Sequence, residues 1–106
     1  VIIEAPAYLE TMTERQFQDL IIETAVLNGW LVYHTYDSRR SQPGFPDLVL
    51  LKPPRLAFWE VKTAKGRLRL EQAHWLTMLK VAPTIDARLV RPKDWDWIAR
   101  YVGGEE

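Results

Sequence analysis

With 106 residues, 47% of them hydrophobic and 26% charged, the chain has the length and composition of one globular domain, which excludes a two-core protein or a disordered segment. It contains no cysteine, so disulfides and thiolate metal sites are excluded and any metal must be held by oxygen or imidazole. Lys plus Arg and Asp plus Glu balance at 14 each, and neither a membrane-spanning run of roughly 18 apolar residues nor the basic, apolar start of a signal peptide is present, so a soluble, cytoplasmic protein with no membrane partner is expected.

Taken in chain order, the first element is a helix over residues 13–28. Thr13 followed by Gln16 has the pattern of a capping box, Phe17, Leu20, Ile21, Thr24 and Asn28 recur along one face, and Gly29 supplies the stop. LVYHTY, residues 31–36, is aromatic and β-branched enough for a strand, and DSRRSQPG, residues 37–44, reads as a polar loop. Two apolar runs follow, LVLL (48–51) and LAFW (56–59), joined by Lys52-Pro-Pro-Arg55; they predict two buried strands of a hairpin. Leu70 to Ala82 is a second helix ended by Pro83, Ala87 to Val90 a short strand, and Pro92 opens a last helix running toward Tyr101. The expected order is helix, three strands, helix, strand, helix, all in a single domain spanning residues 1–106 with a core of about 12–101.

Charge is unevenly spread along this order. Lys52, Arg55, Lys62, Lys65, Arg67 and Arg69 share their segment with a single acid, Glu60, and Arg39 with Arg40 precede it; acids gather toward the two ends. Such a basic face suits phosphate binding on a neutral protein, or is simply a solvated surface.

The hairpin carries the chemistry. If it turns between Pro53 and Pro54, position 47 falls opposite position 60, and directly opposed Cβ atoms on antiparallel strands lie about 4.5 to 5.5 Å apart, where two like charges destabilise each other. A divalent cation between Asp47 and Glu60 removes that conflict; Mg²⁺ accepts a site of few protein oxygens because it keeps several waters, and the Val61 carbonyl is a further candidate oxygen. Lys62, two residues beyond Glu60, falls on the same strand face, where its ammonium can orient a water or stabilise charge on a phosphate. Taken alone, Glu60 and Lys62 read as a same-face surface ion pair; it is Pro46-Asp47, the hydrophobic hairpin and an apolar run before each charge, together with Glu60-x-Lys62, that mark a site at a sheet end.

"TERQFQDLIIETAVLNGWLVYH", "GFPDLVLL", "FWEVKTAKGRLRLEQAHWL" and "VRPKDWDWI" stand in an order and spacing that resemble the virus-type replication-repair nucleases, the VRR-NUC group of the PD-(D/E)xK superfamily. The resemblance implies an α/β fold with a restriction-endonuclease-like αβββαβ core, a mixed central sheet flanked by helices and a C-terminal helix. It also implies Mg²⁺- or Mn²⁺-dependent cleavage of DNA phosphodiesters, with stand-alone members resembling homodimeric resolvases of branched DNA in a bacterial or phage setting concerned with DNA repair. Asp47, Glu60 and Lys62 match the catalytic motif, Glu14 an acid at the start of the first helix, and Gln72 a glutamine in the helix after the motif. Metal ligation would fall to Asp47, Glu60 and the Val61 carbonyl, with Glu14 acting directly or through water. The sequence departs from the group at Arg69-Leu70, where relatives carry a small capping residue and Pro.

Helical geometry bears on the two outlying residues. Glu14 lies about 60° from Phe17 around the first helix, at the margin of the apolar stripe, and Glu23 about 120° on the other side; Glu14 is thus the inward candidate, or else an acid favoured by the helix dipole. Gln72 shares a face with Trp75, Leu76 and Leu79, so it is a polar group aimed inward, for a core hydrogen bond or for water, metal or DNA. His34 and His74 are assigned no catalytic role. The expected activity is a metal-dependent DNA endonuclease, with Arg39, Arg40, Lys65, Arg67 and Arg69 gripping phosphates of branched or duplex DNA. The competing readings are a non-catalytic nucleic-acid module on the same fold and a protein-interaction subunit using Trp95 or Trp97, which at i and i+2 cannot easily face one core.

Overall fold

A computed structural model describes residues 1–35 and 40–104. After an N-terminal arm and a 3₁₀ turn at Leu9–Thr11, the chain runs α1 (Glu14–Leu27), β1 (Leu31–His34), β2 (Leu48–Lys52), β3 (Arg55–Val61), α2 (Leu70–Leu79), β4 (Ile85–Val90) and α3 (Trp95–Gly103). This is the αβββαβ order with a C-terminal helix, a nuclease-like fold. Bounds differ toward the C-terminus: α2 ends at Leu79 rather than Ala82, β4 begins at Ile85 rather than Ala87, and Pro92 opens a 3₁₀ turn, Pro92–Asp94, so that the last α-helix proper begins at Trp95.

The elements form for local reasons that the residues make plain. At the start of α1 the Thr13 hydroxyl accepts the Gln16 N–H at 3.1 Å, while the Gln16 carbonyl oxygen accepts the Thr13 N–H at 3.0 Å. Two of the donors that a helix start leaves orphaned are thereby satisfied. Gly29, at φ +86°, then reverses the chain into β1.

The four strands form one sheet in sequence order. β1 and β2 are antiparallel, β2 and β3 antiparallel, and β3 and β4 parallel. The β2–β3 register pairs Leu48 with Trp59 and Lys52 with Arg55, as a turn centred on Pro53-Pro54 requires, so Asp47 and Glu60 are the next positions on the ladder.

Side-chain alternation sends the two sets of β3 residues to opposite sides. Ala57, Trp59 and Val61 face the main core, where Phe17 and Ile21 of α1 and Ile98 and Val102 of α3 are fully buried. Phe58, Glu60 and Lys62 face α2. On that side Phe45 packs edge-on against both Phe58 and Trp75, at centroid distances of 6.1 and 5.1 Å. The two tryptophans at the start of α3 divide as their spacing demands. Trp95 is buried and donates to the Ile3 carbonyl at 2.9 Å, whereas Trp97 covers the core edge, stacked on Tyr101 at 5.0 Å beneath the Arg88 guanidinium at 3.8 Å.

α2 contacts β3 and β4. The same sheet face over β1 and β2 is left with Leu31, Tyr33 and Leu51 exposed.

Candidate active site

The sheet end where β2 begins and β3 finishes holds the charged residues in place from both strands. The Asp47 carbonyl accepts the Thr35 N–H at 3.1 Å, extending the ladder with β1, while Asp47 Oδ2 accepts the Val61 N–H at 2.8 Å. The carboxylate therefore stands in for a ladder carbonyl and is tied to the strand that carries Glu60. Lys62 is fixed in turn by its own N–H, which donates to the Val90 carbonyl at 3.1 Å.

Glu60 is 1% exposed. One oxygen, Oε2, accepts from Gln72 Nε2 at 2.7 Å and lies 3.8 Å from Lys62 Nζ. The other, Oε1, is buried with no hydrogen-bond partner among the described residues. Burial foremost, then the charge of Asp47 and a carboxyl–carboxylate hydrogen bond to it, and last the charge of Glu14, push the Glu60 pKa from 4.5 up to about 8 against the pull of Lys62. A buried carboxyl raised in this way inside a cleft is the physical mark of a functional group.

Gln72 is itself positioned by both ends of its amide. Its Oε1 accepts the Arg69 N–H at 2.8 Å, which caps α2, and its Nε2 serves Glu60. Arg69 offers no side-chain acceptor at this cap, so Gln72 supplies the side-chain half of the motif alone.

These groups open into a cleft of about 680 Å³ lined by Glu14, His34, Asp47, Glu60, Lys62, Arg69 and Gln72 among others. Glu14 sits at the rim with an exposed side chain. Partial burial and then Asp47 raise its pKa, while Lys62 and Arg69 lower it. Among the described residues no three His, Cys, Asp or Glu side chains converge closely enough to hold a metal together, so Glu14 stands apart from the Asp47–Glu60 pair.

The expected phosphate-gripping residues separate. Arg69 lines the cleft. Lys65 and Arg67 are exposed on the loop between β3 and α2, Arg40 is exposed ahead of β2, and Arg39 lies outside the described residues. Two residues were not anticipated. Arg15 lines the cleft beside Glu14, and its only signal in sequence was adjacency to the first-turn acid. Arg91 donates through Nη1 to the Thr63 and Gly66 carbonyls at 2.8 and 2.6 Å, pinning the loop that leaves Lys62; nothing in its sequence neighbourhood announces that reach.

The site thus combines a buried Glu60, a half-buried Asp47, a lysine on the same strand face and an inward glutamine on the next helix. The VRR-NUC domain family model matches residues 5–93, and the chain belongs to that family. No curated protein matches the chain.

Proposed function

We propose that the chain is a Mg²⁺- or Mn²⁺-dependent DNA endonuclease selective for branched DNA. The observation that carries the reading is the buried Glu60 carboxyl beside the half-buried Asp47, with Lys62 next to them. Glu60 Oε1 is an orphaned buried oxygen, next to a second carboxylate, and this donor set fits a hard dication that takes one or two carboxylates and keeps its waters. Asp47 and Glu60 would hold the cation, with the Val61 carbonyl adjoining and Glu14 reaching it through water. When bound, the cation supplies positive charge to the scissile phosphate and lowers the pKa of water at the site.

The remaining steps belong to the chain's own side chains. The Lys62 ammonium lies where it can orient the attacking water and offset charge growing on the phosphate oxygens. Gln72 fixes the orientation of the Glu60 carboxyl, and the two hydrogen bonds of its amide hold that orientation rigidly. Arg69 and Arg15 flank the cleft and bind adjacent phosphates, with Arg40, Lys65 and Arg67 farther along the strand, each contact steepening the salt dependence. A homodimer would present two equivalent clefts to two strands; the apolar strip of Leu31, Tyr33 and Leu51 supports a second copy there, which sedimentation over a range of concentrations tests.

The deciding assay is cleavage of duplex, flap and four-way-junction DNA with Mn²⁺ or with EDTA. The parent cuts in Mn²⁺ only, branched substrates fastest, and Asp47→Ala and Lys62→Ala lose at least about a hundredfold in rate while remaining folded. Equal rates for parent and variants would refute the mechanism; binding without cleavage would identify a DNA-binding module that keeps the fold.

A further inference from the structure

Beside the cleft lies a second, smaller hollow of about 470 Å³, lined by Pro43, Leu70, Glu71, His74 and Trp75. It shares Pro43 and Glu71 with the cleft, so a strand leaving one enters the other. We propose that this hollow receives an unpaired nucleobase of the bound DNA, one nucleotide from the cut phosphate, with Leu70 as an apolar wedge and Trp75 as the stacking wall. The proposal deepens the endonuclease reading and rests on it for the position of the cut, though not for the binding itself.

Three features of the hollow argue for this occupant. Leu70 is 84% exposed, the most exposed large apolar side chain among the described residues. It opens α2 between the Arg69 cap and Gln72, which holds Glu60. An apolar residue standing in solvent next to a phosphate-binding cleft is suited to enter a base step and hold it unstacked.

The aromatic wall, by contrast, is rigid. Trp75 Nε1 donates to the Pro43 carbonyl at 3.1 Å, and the ring packs edge-on against Phe45 at 5.1 Å. The Pro43–Gly44 segment presses on α2 so tightly that a Cβ at Gly44 would stand 2.4 Å from the Glu71 backbone. A preorganised apolar slot with an aromatic face costs little to fill with a planar base.

Charge completes the match. Arg69 lines the adjoining cleft and Arg67 is exposed on the loop just ahead of it; both suit the phosphates next to the base. Glu71, on the shared wall, repels a phosphate from the hollow and can accept from an exocyclic amine on a base edge. The slot therefore favours the base over the backbone, and an unpaired base over one locked in a duplex.

The test uses the full chain in EDTA, where binding is separated from cleavage. The probe is a flap DNA with 2-aminopurine at the unpaired position next to the branch, compared with a blunt duplex of the same length. The parent is expected to quench the 2-aminopurine fluorescence on binding and to prefer flap to duplex. Leu70→Ser should lose about five- to a hundredfold of that preference, with duplex affinity held within about twofold. Trp75→Leu should abolish the quench; because Trp75 is partly structural, the exposed Leu70→Ser variant keeps the test decisive if Trp75→Leu fails to fold. Absence of quenching in the parent, or an unchanged flap-to-duplex ratio in Leu70→Ser, would overturn the proposal and leave the hollow to a protein partner. If the parent quenches but does not cut in Mn²⁺, the endonuclease reading fails and the base site stands; if it cuts without quenching, the reverse holds.

Discussion

Replacing Glu60 by Gln should stabilise the cation-free protein at alkaline pH while ending its chemistry. The Gln side chain mimics protonated Glu60 in shape, keeps an acceptor for Gln72 Nε2 and offers Asp47 a donor. The ordinary value of 4.5 and the raised value of about 8 differ by about 3.5 pH units at about 1.36 kcal/mol each, so ionising Glu60 in the folded chain costs about 5 kcal/mol. The sign follows from proton binding. Between these two values folded Glu60 retains a proton that the unfolded chain has already released, so stability falls as pH rises through the window and the cost is complete above the folded value. Against a total domain stability of about 5 to 15 kcal/mol this is a large share. Thermal unfolding followed by circular dichroism in EDTA, from pH 5 to 8.5, reads it directly. The parent should lose Tm across the range, and Glu60→Gln should exceed it at pH 8 by on the order of 10 °C, with the two converging near pH 5. Taking the difference between the two proteins removes the same-signed contribution of Glu14. Parallel profiles, or a Glu60→Gln protein less stable than the parent at pH 8, would show that the carboxyl pair is not in conflict and would refute the reasoning.

Gln72→Leu removes both the donor to Glu60 and the acceptor at the α2 cap. It should lower stability by about 2 to 3 kcal/mol in denaturant unfolding and slow DNA cleavage, whereas Gln72→Glu, adding a third carboxyl, should be worse than Leu above pH 7. Gly44→Ala places a side chain at φ +85° and 2.4 Å from the Glu71 backbone, which should cost at least about 2 kcal/mol by urea unfolding and displace the segment that delivers Asp47. Arg91→Ala frees the carbonyls of Thr63 and Gly66; trypsin should then cut after Lys65 or Arg67 several times faster than in the parent, on the order of the 1 to 2 kcal/mol those hydrogen bonds contribute.

What the sequence made legible was set by short-range rules. The Thr13–Gln16 box, the two continuous apolar runs and a two-proline turn each specify local geometry, and the turn fixed the register that sets position 47 against position 60. The inward aim of Gln72 was also visible as helical phase. The partner of each of its amide ends was not, because one is Glu60 on the neighbouring strand and the other the backbone of its own cap. The same limit explains Arg91, whose long side chain reaches back across the β3–α2 loop, a contact of high sequence separation that no periodicity encodes. The start of the last helix was misplaced for a different reason. Pro92 suits the first turn of an α-helix and of a 3₁₀ turn equally, and the difference lies in the backbone: the Asp94 N–H donates to the Arg91 carbonyl three residues back at 2.8 Å, and the Trp95 N–H to the Pro92 carbonyl. Basic residues were legible as a group but not as a surface. Arg69 and Lys65 look alike in sequence, yet only Arg69 of the two turns into the cleft among the described residues.

Calorimetric titration of Mn²⁺ into the parent at pH 7, repeated in two buffers of different ionisation heat, measures both cation binding and the protons it displaces. A cation seated between Asp47 and Glu60 must release the proton Glu60 carries, so about one proton per bound Mn²⁺ is predicted, with binding lost in Asp47→Asn and Glu60→Gln. Binding that releases no proton, or that survives in both variants, would contradict the assignment of this carboxyl pair as the cation site.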